Sequence, residues 1–200
     1  MNLSLPFILS ISLFAFSASI TPGPNNLMLT SSGATFGFRR SVPHMAGIIL
    51  GFPLLVALVG LGLGRIFAAF PPLQTVLKIA GIAYMIFLSW AIAVSGTTEG
   101  KEVKRPLSFL QAAAFQWVNP KAWFMGVNAI GAYTGPDRFE FQLALIVFIF
   151  FLTGICSTIV WTGFGTLVRS WLSTPRRLRF FNIGIAGLLL LSLVPFFFTL

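Results

Sequence analysis

The chain has 200 residues, of which 56% are hydrophobic and only 8% charged, with a mean hydropathy of +0.92. Soluble domains carry roughly a quarter charged residues, so this composition excludes an ordinary soluble domain and marks an integral membrane protein. The net charge of +9 does not indicate nucleic acid, because the basic residues collect in loops between apolar stretches.

Uncharged stretches run from Met1 to Phe38, Met45 to Gly64, Ile79 to Thr98, Phe141 to Val168 and Phe180 to Leu200, and a further one surrounds Lys121. A span needs about 20 apolar residues, so an all-α, polytopic fold with six transmembrane helices is expected. The first stretch ends in Ser17-Ala18-Ser19, a pattern similar to a signal-peptide cleavage site. No Lys or Arg precedes it and the apolar run continues, so it reads as a retained span.

That first span is interrupted by "SITPGPNNLML", Ser19 to Leu29. Proline disfavours helical geometry in the residue before it, so Pro22 and Pro24 push Thr21 and Gly23 towards extended backbone. The first helix should stop near Ile20, and Pro24 suits the first turn of a new helix through Leu27 and Met28. The backbone groups left free at the break must be met by protein, water or a ligand, at several kcal/mol for each one left unmet. Thr21, Asn25 and Asn26 add donors and acceptors there, and an interfacial course for Leu27 to Phe38 is the alternative topology.

Span two begins at His44, the only histidine, and its Gly47-x-x-x-Gly51 pair is expected to permit close helix packing, as are Gly81 in span three and Gly184 in span six. "GLGLGR", Gly60 to Arg65, is superficially similar to a nucleotide loop but closes a membrane span without a strand-turn-helix context. The most polar stretch, Gly96 to Pro106, divides the chain into a first three-helix unit (1–98), a cytoplasmic linker (99–106) and a second three-helix unit (107–200).

Span four carries the second break, "FQWVNPKAWF" from Phe115 to Phe124, with Asn119-Pro120 as breaker and Lys121 beside it. A charge near the centre of a span costs about 2.5–3.5 kcal/mol on insertion scales. Lys121 therefore either bonds carbonyls freed by a break, or snorkels, or meets a substrate carboxylate. Trp117 and Trp123 bracket this break and serve either packing and interfacial anchoring or the lining of a site. Cys156, alone in span five, has no partner for an intrachain disulfide.

The halves repeat. "GIAYMIFLSW" from Gly81 aligns with "GIAGLLLLSL" from Gly184, Gly60-x-Gly62 with Gly163-x-Gly165, and Pro22 with Pro120. Three spans per repeat force opposite orientations, a 3+3 inverted repeat with helices 1 and 4 broken. Arg39, Arg40, Lys101, Lys104, Arg105, Arg169, Arg176, Arg177 and Arg179 follow spans one, three and five, against Arg65, Lys78 and Arg138 on the other side. The positive-inside rule then places the odd connections in the cytoplasm near anionic lipid headgroups, with both termini outside.

Glu99, Glu102, Asp137 and Glu140 all fall in or beside loops. The spans contain no metal-ligand cluster and no Ser-His-Asp set, so neither an enzyme nor a cofactor is expected. A channel or facilitator with the same broken helices, an intramembrane enzyme and a purely structural subunit are the competing classes.

"TPGPNN", "AGIAYMIFLSWAIA" and "VNPKAW" resemble the LysE/RhtB superfamily of bacterial amino-acid exporters over essentially the whole chain. "GFRRS", "SFLQAAAFQWVN" and "GVNA" look most like its cysteine and O-acetylserine branch. The resemblance implies an inner-membrane secondary carrier that exports small amino acids or derivatives, of cysteine/O-acetylserine or threonine/homoserine type, driven by the proton gradient. It carries over to Thr21, Pro22, Gly23, Pro24, Asn25, Asn26, Asn119, Pro120 and Lys121, although many relatives have Asp at the position of Asn25, which bears on proton coupling there. The expected site lies between the breaks. A substrate carboxylate meets Lys121 and the N–H groups after Pro24, its ammonium meets carbonyls before Thr21, Asn25 and Asn119 orient it, and Pro22, Pro24 and Pro120 act as hinges. Lys121 itself is a candidate carrier of the coupling proton, and the oligomeric state, homo-oligomer included, stays open.

Overall fold

The computed structural model describes residues 4–63, 69–95, 105–172 and 174–194, and these are helical with short connections. Helix α1 (Leu5–Ile20) ends where Pro22 forces Thr21 into extended backbone, φ −62° and ψ 144°. Helix α2 (Pro24–Phe36) starts on Pro24 after an extended Gly23 and stops at Gly37, whose φ of 83° lies in the left-handed region that glycine tolerates. Helix α3 (Phe38–Leu58) runs on through Val59–Leu63, where the chain kinks at Gly62, φ 117°. Helix α4 (Pro71–Val94) completes the first half.

In the second half, α5 (Phe109–Val118) opens with a capping box between Ser108 and Gln111 and stops at Asn119. Helix α6 (Pro120–Tyr133) starts on Pro120, α7 (Phe139–Val168) is the longest helix described, and α8 (Pro175–Leu191) begins behind the Thr174 cap. Three stretches, Phe38–Gly62, Thr75–Val94 and Pro136–Val168, are long and apolar enough to cross a membrane. The pair α1 and α2, bent by 54°, counts as a fourth if the two pieces form one span. The other two of the six expected spans would fall on α5 with α6, interrupted at Asn119, and on α8, whose 17 residues carry Arg176, Arg177 and Arg179 in their first turns; neither is among the stretches long and apolar enough to cross.

Helix α7 is the centre of the packing, touching α1, α2 and α3, while α3 lies along α5 and α4 along α8. Helices α2 and α7 approach closely. A Cβ on Gly33 would run into the backbone of Thr162 and Thr166, and one on Gly165 into that of Thr30 and Ala34. Lipid supplies no hydrophobic drive for helix association, so close backbone packing through small residues replaces it. Gly47 and Gly51 bring α3 against Phe109, Ala112 and Ala113, and Gly81 brings α4 against Val118, as expected. Gly184 does not follow the expectation, since among the described residues nothing lies within 4 Å of the place its Cβ would occupy. Residues 27–34 of α2 are buried against the neighbouring helices. The linker residues 99–104 and Arg65 lie outside the described residues.

Candidate functional site

Proline geometry produces both breaks, and the tertiary fold brings them together. The Lys121 ammonium donates to the Thr21 carbonyl at 2.7 Å, to the Thr21 hydroxyl at 2.9 Å and to the Pro22 carbonyl at 3.4 Å. A residue in the first turn of α6 thus caps the C-terminal end of α1, where carbonyls have no helical partner. Of the accounts open for Lys121 in the sequence, bonding to freed carbonyls is the one seen in this conformation. Gly23 makes room for it, because a Cβ there would sit 2.8 Å from the lysine Cδ.

The other carbonyls ending α1 are also partnered. Ser19 accepts from the Asn26 amide and from the Ser157 hydroxyl, both at 2.8 Å, and Ile20 accepts from the Trp161 indole at 3.1 Å. The Asn26 amide also reaches the Thr21 carbonyl at 2.8 Å. The expected meeting of a substrate ammonium with free carbonyls before Thr21 therefore finds those carbonyls held by Asn26, Ser157 and Trp161. Sequence reasoning does not single out Ser157 and Trp161 of α7 for this role. Polar residues in an otherwise apolar span are the available signal.

Asn25 and Gln116 form a reciprocal amide pair, Nδ2 to Oε1 at 2.8 Å and Nε2 to Oδ1 at 3.1 Å, and the glutamine amide also donates to the Ala112 carbonyl at 2.9 Å. Gln116 is fully buried, and its pairing avoids the desolvation cost of an unmet amide. This pair ties the start of α2 to the end of α5, so the two halves are joined on both sides of the first break. The Asn119 side chain accepts from the Lys121 backbone N–H at 3.1 Å and caps α6.

A cavity of about 50 Å3 lies between the breaks. Gly23, Asn25 and Asn26 line it from the first half and Asn119, Lys121 and Ala122 from the second, while Ser157 and Thr158 close it from α7. At roughly 10–15 Å3 per water-sized centre, it holds only a few water-sized groups. Lys121 is the one titratable side chain among its described lining residues. The N–H groups of Asn25 and Asn26 precede the first helical bond of α2, from Leu27 to the Gly23 carbonyl at 2.9 Å, so they belong to the unpaired helix start. Trp117 and Trp123 do not line the cavity. The Trp123 indole donates to the Trp117 carbonyl at 2.8 Å, and both rings pack on the apolar cluster around Phe52, Val56 and Phe150.

The family model described as "LysE type translocator" matches residues 16–199. The chain belongs to the LysE translocator family. Its relatives include the cysteine/O-acetylserine efflux protein of Escherichia coli O139:H28 (strain E24377A / ETEC), 34% identical over 183 residues, which cover 90% of this chain and 92% of that protein. The proteins of the same name from Escherichia coli (strain K12) and Shigella sonnei (strain Ss046) are similar to the same extent, with equal identity and coverage. No solved structure matches the chain significantly. As a LysE translocator with several apolar helices suited to membrane spans, the protein is a multi-pass membrane transporter and not an enzyme.

Proposed function

We propose that the protein is a secondary carrier exporting small amino acids or their derivatives, of the cysteine/O-acetylserine or threonine/homoserine type, across the bacterial inner membrane. The observation that carries this reading is the bond from Lys121 to Thr21 across the two breaks, beside a cavity lined by both halves. The ammonium of Lys121 occupies the carbonyl cradle that a substrate ammonium would need. A zwitterion entering between Lys121 and Thr21 presents its carboxylate to Lys121 and to the N–H groups of Asn25 and Asn26. Its ammonium takes over the Thr21 and Pro22 carbonyls that Lys121 gives up. Every charged group keeps a partner in this exchange, which matters because a charge-assisted hydrogen bond is worth about 1.5–3 kcal/mol. A solute lacking either charge leaves one partner bare.

The inverted 3+3 plan is supported by how the helices pair. The second span, α3, packs on both pieces of the fourth, α5 and α6, and α7 packs on both pieces of the first, α1 and α2. The third span packs on the sixth, α4 on α8. This is the pattern a two-fold exchange of halves generates, and rocking one half against the other around the breaks supplies alternating access. The excess of Arg at the end carrying Arg39, Arg40, Arg105, Arg169, Arg176, Arg177 and Arg179 supports a cytoplasmic location for that end, next to anionic lipids, with both termini periplasmic.

Coupling to the proton gradient, in this reading, passes through Lys121, the titratable group of the cavity. Efflux driven by a pH gradient from vesicles containing Lys121→Arg tests this. A guanidinium stays charged, so loss of the gradient-driven component is expected, and full proton-coupled transport by the Lys121→Arg variant would refute the role.

A further inference from the structure

A second cavity, of about 80 Å3, lies at the Arg-rich end. It is bounded by Ser31 and Ser32 of α2, His44 of α3, Ser95 beyond α4, and Arg105. His44 is 1% exposed, and neither ring nitrogen has a hydrogen-bond partner among the described residues. The serines are not in the same position. Ser31 donates to the Asn182 side chain at 3.1 Å, Ser32 shares a 2.7 Å hydrogen bond with Ser41, and Ser95 accepts from the Asn182 amide at 3.0 Å. A buried imidazole carries one donor and one acceptor in its neutral form, and buried polar groups are nearly always paired. Neither nitrogen has surface open to the cavity in this conformation, although the residue forms part of its wall, so a group in the cavity meets them when the ring turns towards it.

Arg105 is exposed and fixes a permanent charge on the cavity wall. The described acids, Asp137 and Glu140, lie at the opposite end, before and at the start of α7, so neither reaches it. A guanidinium with no carboxylate beside it among the described residues is suited to a carboxylate from solution, which it grips through paired N–H donors. The cavity is also in line with the central one. His44 lies one turn before Ile48 and two before Phe52 on α3, and those two residues line the cavity between the breaks. Helix α2 likewise runs from Asn25 and Asn26 in the first cavity to Ser31 and Ser32 in the second.

We infer that this second cavity is an intake station for the amino-acid substrate, with Arg105 taking the carboxylate and His44 the polar groups that follow it inward. The inference rests on the export reading above and deepens it, since it places a recognition step ahead of Lys121.

The chain has a single histidine, so the imidazole resonances of isotope-labelled full-length protein in lipid nanodiscs report on this cavity alone. The probe is O-acetylserine, with its methyl ester as the carboxylate-free control. The expected result is a saturable shift of the His44 resonances with O-acetylserine, absent with the ester and requiring about tenfold or more probe in Arg105→Gln. The shift should persist in Lys121→Gln, because the station precedes the central site. No shift in a preparation that transports O-acetylserine overturns the station and leaves the export reading standing. A shift equal in Arg105→Gln, equal with the ester, or lost in Lys121→Gln also overturns it. Absence of both transport and shift for O-acetylserine sinks the station together with its basis.

Discussion

The Lys121 ammonium lies 2.7 Å from the Thr21 carbonyl oxygen, so the second half of the chain completes the C-terminal end of a helix in the first. Two local interruptions, each costly alone in a membrane, satisfy one another. In the export reading this contact also marks where a substrate enters, because a zwitterion can separate its two partners without leaving either unpaired.

Gly23→Ala and Gly165→Ala should behave differently. At Gly23 the added methyl meets the flexible Lys121 side chain at 2.8 Å, whereas at Gly165 it meets the Thr30 backbone. We expect Gly23→Ala to keep near wild-type thermal stability in detergent while reducing efflux several-fold, since it displaces the lysine. Gly165→Ala should cost about 1–3 kcal/mol by prying α2 from α7. A normal melting temperature for Gly165→Ala would mean that the two helices are not held this closely.

The Asn25–Gln116 pair predicts non-additivity. Asn25→Ala leaves the buried Gln116 amide without its partner, at about 1–3 kcal/mol, and Gln116→Ala leaves the half-buried Asn25 amide without its own, at the lower end of that range. The double variant should be less damaging than the sum, by about 0.5 kcal/mol or more. Denaturation of the four proteins in one detergent measures this, and strict additivity would show that the two amides act independently.

Trp161→Phe keeps an aromatic ring in place but removes the second ring of the indole together with the N–H that serves the Ile20 carbonyl. A destabilisation of about 1–3 kcal/mol is expected from the unpaired carbonyl at the end of α1. An unchanged unfolding midpoint would indicate that water serves this carbonyl equally well.

The breaks are legible in the sequence because proline acts through geometry that is local. Pro22 ends α1 at Ile20, and Pro24 and Pro120 each occupy the first position of the next helix. The partners of the freed groups are not legible, because they depend on which faces of distant helices meet. Gln116, Ser157 and Trp161 reach the first break from the other half of the chain, and nothing local to Ser19–Leu29 announces them. The small-residue pattern has the same limitation. Gly165 is pressed against backbone and Gly184 meets nothing close among the described residues, although both sit in apolar helices rich in glycine. Trp117 and Trp123 flank the second break in sequence, yet they pack on the apolar cluster that includes Phe52 and Phe150 of the cavity wall and do not line the cavity themselves.

The central claim is that the paired breaks form one site for a zwitterionic amino acid. Efflux of O-acetylserine from vesicles containing the purified protein, with Lys121→Gln and the methyl ester alongside, tests it most directly. Saturable efflux by the wild type is expected, with a loss of at least about tenfold in Lys121→Gln. Excess unlabelled amino acid should compete and the ester should not. Undiminished efflux by a correctly folded Lys121→Gln protein would contradict the claim.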